Sequence, residues 1–156
     1  MSGHGRPGHA TAHPPPVATL RNRRGGWRAV IELTWEIPRQ SEAVGIVRRD
    51  VSKLLADWGM ERDAPSVAVI ISELLTNALQ HGAGTVTLCL ARHGEGIRGA
   101  VSDHGSGTPR KSEAAGDAEH GRGLAIVDAY TTAWGVHPLA CGGKQVWFDY
   151  KPGRPA

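Results

Sequence analysis

Between Val67 and Gly82 the chain carries an apolar face that has to be covered along one whole side of a helix. Val67, Ile70, Ile71, Leu74, Leu75 and Ala78 recur at helical period and form one broad surface. Glu73, Asn77 and His81 step by four residues, so they make a polar stripe along one edge of that surface. A carboxylate and a carboxamide one turn apart, beside a core-facing surface, suit a site where a metal-bound phosphate meets a base. Gly82 is placed to end the helix in the left-handed conformation. Taken alone, the stretch is accounted for by an amphipathic helix with a polar shoulder. The rest of the chain changes that reading.

Strand-like and helical patterns alternate around this element. Trp27, Ala29, Ile31, Leu33, Trp35 and Ile37 alternate with polar residues up to Pro38, which reads as one half-buried strand. Ser41 is expected to cap a helix whose stripe is Val44, Val47, Val51, Leu54, Leu55 and Trp58, with Gly59 as its stop. Asp63 and Pro65 then start the central helix. Strands near 85–92 and 97–103 are joined at His93-Gly-Glu-Gly96 as a hairpin. Residues 108–120 lack periodicity, and Gly121-Arg-Gly123 opens a third helix with Leu124, Ile126, Val127 and Tyr130 apolar. Two strands near 133–139 and 144–150 close the chain. Strands mostly adjacent in sequence, with three helices between them, predict a two-layer α/β (α+β) sandwich: a mixed, mostly antiparallel sheet covered on one face by about three helices.

The 156 residues suit a single domain. The net charge of +3 looks like a nucleic-acid signal, but its position argues otherwise. Residues 1–26 hold Arg6, Arg21, Arg23 and Arg24 and no acid, which leaves 14 Lys and Arg against 15 Asp and Glu in the remainder. That stretch is rich in Gly, Pro and His and is expected to be a disordered tail, with the domain at 27–151 and a short tail at 152–156. Cys89 and Cys141 have neither metal spacing nor a disulfide framework, and Cys89 in its alternating run reads as a small buried thiol. No run approaches the roughly 18 apolar residues of a spanning helix. With no signal-peptide core at the N-terminus, a cytoplasmic protein without direct nucleic-acid or membrane binding is expected.

Two later segments point the same way as the central helix. In Val101-Ser-Asp-His-Gly-Ser-Gly-Thr-Pro109, Asp103 shares parity with Val101 and Ile97, so its carboxylate should face the helix-covered side. A carboxylate there needs a donor, and an adenine amino group is one; a solvated strand-end Asp in a Gly turn is the plainer alternative. Gly105 and Gly107 would let a flat ring approach the backbone. In His120-Gly-Arg-Gly-Leu-Ala-Ile-Val127, a Gly-rich turn feeding a helix offers N–H groups and a positive dipole end to phosphate oxygens.

The order Glu-x-x-x-Asn on a helix, Asp-x-Gly-x-Gly after a strand, a polar loop, then Gly-x-Gly-Leu into a helix resembles the GHKL superfamily of ATPases and kinases. Within it, the match is closest to the small bacterial anti-sigma-factor serine/threonine kinases, over roughly 27–150. The resemblance implies a Bergerat-type ATP-binding fold that takes ATP and Mg²⁺. It implies Asn77 as the Mg²⁺ ligand, Glu73 as the base acting on an acceptor hydroxyl, and Asp103 as the adenine acceptor with Gly105 and Gly107 shaping that pocket. Residues 108–120 would be a lid, and Gly121, Arg122, Gly123 and Leu124 a phosphate cradle. His81 either approaches the phosphates or complements the helix C-terminus, and Arg122 either contacts a phosphate or faces solvent. Many family members have Thr where Gln145 stands, so Gln145 either replaces it in holding adenine or weakens that grip.

What the resemblance implies is an ATP-dependent kinase that sequesters a sigma factor and phosphorylates an antagonist protein; a homodimer is left open. The alternative is a nucleotide-dependent protein-binding switch without useful catalysis, in which ATP alters the partner surface. A histidine kinase fragment ranks below both, since residues 1–26 supply no helical dimerisation segment.

Overall fold

The computed structural model describes residues 18–21, 27–30, 32–104, 118–140 and 142–153. The elements in chain order are β1 (Ala18–Arg21), β2 (Trp27–Val30), β3 (Glu32–Ile37), α1 (Ala43–Asp57), α2 (Ala64–His81), β4 (Val86–His93), β5 (Gly96–Asp103), α3 (Ala118–Tyr130), β6 (Ala133–Pro138) and β7 (Lys144–Tyr150). Strands β3 to β7 form a five-stranded sheet in the order β3-β4-β5-β7-β6, and every pairing in it is antiparallel. The expected two-layer sandwich is therefore present, without the parallel pairing that a mixed sheet would contain.

Alternation along each strand decides which side the helices cover. Trp35 and Ile37 of β3, Val86, Leu88 and Leu90 of β4, Ile97 and Val101 of β5, and Val146, Phe148 and Tyr150 of β7 are all buried. They meet Val47, Val51 and Leu55 of α1, the six apolar residues of α2 singled out above, and Val127 of α3 in one core. Phe148 is fully buried and lies against the backbone of Gly99, where a side chain would collide with its ring. On the opposite face stand Thr87, Cys89, Ala100, Ser102, Gln145 and Trp147. Cys89 is half-buried on this face, not enclosed in the core, and accepts a contact from the Thr34 hydroxyl at 3.7 Å. Cys141 lies outside the described residues.

Three local readings are corrected. The run from Trp27 to Ile37 divides into β2 and β3, and β2 pairs with β1 in a separate two-stranded ribbon. The pairing of β3 with β4 starts at Glu32 opposite Ala91, and β2 takes β1 as its ladder partner. Four residues of the expected tail are thus in a strand, and residues 1–17 and 22–26 lie outside the described residues. The N-cap of α1 is Glu42, with no side-chain cap bond, so Ser41 belongs to the preceding turn. Gly82 caps α2 in an extended conformation, with φ −84°, not a left-handed one.

Other turn chemistry follows the pattern. The β4–β5 hairpin has the two-residue loop Gly94-Glu95, with Gly94 at φ +61°, the loop class that takes glycine first. Asp63 is the N-cap of α2 but does not cap with its side chain. Its Oδ1 accepts a 2.6 Å hydrogen bond from the Tyr150 hydroxyl, tying the start of α2 to the last strand. Among the described residues no helix is long and apolar enough to cross a membrane.

Candidate functional site

The site is built where the C-terminal end of α2 meets the end of β5. Helix α2 is fixed at both ends: Tyr150 holds Asp63 at its start, and Arg39 holds its finish. Arg39 donates from Nη1 to the Leu79 carbonyl at 3.0 Å and from Nε to the Gly84 carbonyl at 2.8 Å. The loop after α2 is thereby clamped to the chain leaving β3.

Around α2, Val44 of α1 lines a groove with Thr76, Leu79 and Gln80 on one flank. At about 100° per residue, Glu73 falls next to Gln80 and Asn77 further round the helix, away from Leu79; α3 also packs on α2. Both side chains are half-buried, whereas His81, one turn further, is exposed. Glu73 and Asn77 thus share one edge of α2 at the boundary between core and solvent. Among the described residues no group of three or more His, Cys, Asp or Glu is gathered to hold a metal.

Asp103 is the last residue of β5 and is only 4% exposed. Its parity with Ile97 and Val101 sends it to the helix side, next to Val86 on β4 and Lys144 on β7. Two glycines approach it. A Cβ on Gly82 would lie 2.7 Å from Asp103 Cγ, and a Cβ on Gly143 would collide with the Asp103 carbonyl oxygen. The backbone N–H of the following residue, His104, donates to Ala83 O at 3.1 Å, which closes the α2 loop onto the strand end. The buried carboxylate thus has one glycine backbone, that of Gly82, against it, a cradle that a side chain would fill. It suits a flat, amine-bearing ring whose N–H can meet the carboxylate.

Gln145 is not part of this cradle. It pairs with Ser102, one residue before Asp103, and so projects from the uncovered face, where its Nε2 donates to Ser102 Oγ at 3.2 Å. Lys144 is the residue across from Asp103. Sequence reasoning missed this because β5 and β7 are separated by α3 and β6, so no hairpin loop sets their register.

Helix α3 begins at Ala118, three residues before Gly121. Ala118 and Glu119 favour helix, and an acidic residue suits the positive end of the dipole. Consequently Gly121, Arg122 and Gly123 lie inside the first turns instead of preceding them. Only the first four N–H groups of a helix lack an internal acceptor, and here that set ends at Gly121. The side chains of 121–123 are outside the described residues, as are Gly105, Gly107 and residues 105–117. Leu124 is 37% exposed.

A model of the histidine kinase-like ATPase domain family matches residues 37–149. No curated protein sequence matches the chain. Among solved structures, the chain is similar to the RsbU and RsbW domains of Rv1364c from Mycobacterium tuberculosis, with 23% identity, a TM-score of 0.60, and 80% of this chain and 33% of that chain covered. It is also similar to the histidine kinase domain of the Erythrobacter litoralis EL346 blue-light activated histidine kinase, with 20% identity, a TM-score of 0.47, and coverage of 69% and 58%. The chain therefore spans about a third and somewhat more than half of those chains.

Proposed function

The chain belongs to the histidine kinase-like ATPase domain family, and from that premise we propose that it is an ATP-binding serine/threonine protein kinase of the anti-sigma-factor type. The observation that carries the nucleotide part is the carboxylate of Asp103, a residue only 4% exposed, with the backbone of Gly82 against its Cγ. The anti-sigma part draws on the motif resemblance and on the likeness of fold to a structure that includes an RsbW domain. Its partners would be a sigma factor and the antagonist that competes for it, and its unit of function would be residues 27–151.

In this reading Asp103 accepts from the exocyclic amine of adenine, and the neighbouring glycine backbone leaves room for the ring. Asn77 would hold Mg²⁺ through its neutral amide oxygen, and the ion would supply charge neutralisation at the phosphates. MgATP supplies the phosphoryl group and its charge neutralisation. Glu73, one turn before Asn77, takes the proton of the acceptor hydroxyl, and the helix holds both groups on one edge so that positioning carries the reaction. By the family resemblance, Gly105 and Gly107 would shape the base pocket and Gly121, Arg122, Gly123 and Leu124 the phosphate cradle, with residues 108–120 as the lid.

Calorimetry with MgATP on the full chain and on Asp103→Asn tests the site. The variant should lose measurable binding while keeping the wild-type melting curve; unchanged affinity removes Asp103 from the pocket. Incubation with γ-labelled ATP and the antagonist protein tests the kinase, with Glu73→Gln expected to abolish transfer but not binding. ATP binding without transfer to any partner would leave the protein-binding switch as the function.

A further inference from the structure

Lys144 stands directly across from Asp103 in the β5–β7 ladder. Cross-strand partners project from the same side of a sheet with Cβ atoms about 5 Å apart. Val146, Phe148 and Tyr150, at the parity of Lys144, are buried under the helices, so Lys144 leaves β7 on the side of Asp103. It is only partly covered, and among the described residues it enters no ion pair. Its ammonium, on a flexible four-carbon stem with three donors, is thus available beside the carboxylate.

We propose that Lys144 is a specificity-determining residue of the base pocket: its ammonium donates to ring N1 of a 6-aminopurine while Asp103 accepts from the exocyclic amine. The inference rests on Asp103 being the base acceptor, as proposed above. A carboxylate next to an ammonium reads a ligand edge on which an N–H donor adjoins a lone pair. Adenine carries that pair at N6 and N1. Guanine presents the reverse, an acceptor at O6 and a donor at N1, so both contacts would be opposed. Sites that pair polar groups reject analogues lacking the partner far more strongly than apolar pockets reject a missing methylene. Gln145 points to the other face and takes no part.

The experiment is calorimetry on the full chain with MgATP, MgGTP and the magnesium complex of 1-deaza-ATP, which has carbon in place of N1. Lys144→Met should weaken ATP by about tenfold, the scale of one hydrogen bond to a charged donor, leave 1-deaza-ATP within about twofold, and narrow the preference for ATP over GTP. Gln145→Ala should change none of these. Where Lys144→Met melts early, Lys144→Gln, which keeps an N–H donor without the charge, takes its place with the same expected pattern at smaller size. Equal weakening of ATP and 1-deaza-ATP would show that the lysine acts only as a charge near the phosphates and would overturn the inference, as would unchanged ATP affinity. Wild-type protein that binds neither ATP nor 1-deaza-ATP would instead overturn the nucleotide reading itself.

Discussion

Asp103 and Gly82 are in contact: a methyl group built on Gly82 would lie 2.7 Å from Asp103 Cγ and 2.5 Å from the Ala78 carbonyl oxygen. The end of α2 and the carboxylate at the end of β5 therefore share one small space, which only a residue without a Cβ leaves open. Helix α2, which carries Glu73 and Asn77, is registered against the strand that carries Asp103 through this contact.

Gly82→Ala should force α2 and β5 apart, because the new Cβ would lie under 3.0 Å from both. Because the obstacles include helix backbone, the cost should be about 1–3 kcal/mol, with ATP affinity falling further than stability alone explains. Thermal melting and nucleotide titration on one sample check this, and a wild-type melting curve would show that the contact yields freely.

Arg39→Ala removes two donors from the loop that closes on Asp103. Both bonds are at the surface, so the global loss should be about 1 kcal/mol. The larger effect should be local, with faster amide exchange at residues 82–84 than at the centre of α2, measured by hydrogen exchange. Arg39→Lys should restore little, since a single ammonium cannot reproduce the fork.

Tyr150 links the last strand to the start of α2, and burial together with its hydrogen bond to Asp63 pushes its hydroxyl up to about 12. The folded state therefore favours the protonated phenol. This contribution is complete below about pH 10, the unfolded value, and is lost as pH rises towards 12. Tyr150→Phe should cost about 1 kcal/mol at neutral pH and should flatten the alkaline limb of a stability–pH curve.

Arg98 and Asp149 form a bidentate pair on the uncovered face, with Nε–Oδ1 at 2.7 Å and Nη2–Oδ2 at 2.8 Å. The hydrogen bond to Arg98 is the main cause that holds the Asp149 carboxyl below its usual range. The pair stabilises the fold above the ordinary carboxylate range and loses its effect as pH falls through and below it. The Arg98 side chain is 54% exposed, so Asp149→Asn should cost no more than about 1 kcal/mol. Urea titrations at neutral pH and at acid pH, where the difference should vanish, check the sign.

The arrangement of layers was legible because it depends on period alone. The face of α2, the alternation of β4 and β5 and the inward parity of Asp103 all follow from residues a few positions apart. What depended on distant chain segments was not legible. A glycine at a helix end commonly marks a left-handed stop, whereas the role of Gly82 comes from Asp103, a strand pair away. Whether Gln145 reaches adenine is not readable from its own segment; the β5–β7 register sets it across from Ser102 and puts Lys144 across from Asp103. The start of α3 was put at the glycines, although Ala118 and Glu119 extend the helix ahead of them. The alternation from Trp27 to Ile37 runs through the break between β2 and β3, which no pattern in that segment records.

Strand β5 has a neighbour on each side, β4 and β7, and Asp103 is bonded into both ladders at their last rung. Whatever ligand meets that carboxylate meets a backbone held on both sides. Fit then has to come from the ligand or from other segments of the chain, and little association free energy is spent on freezing this side of the pocket.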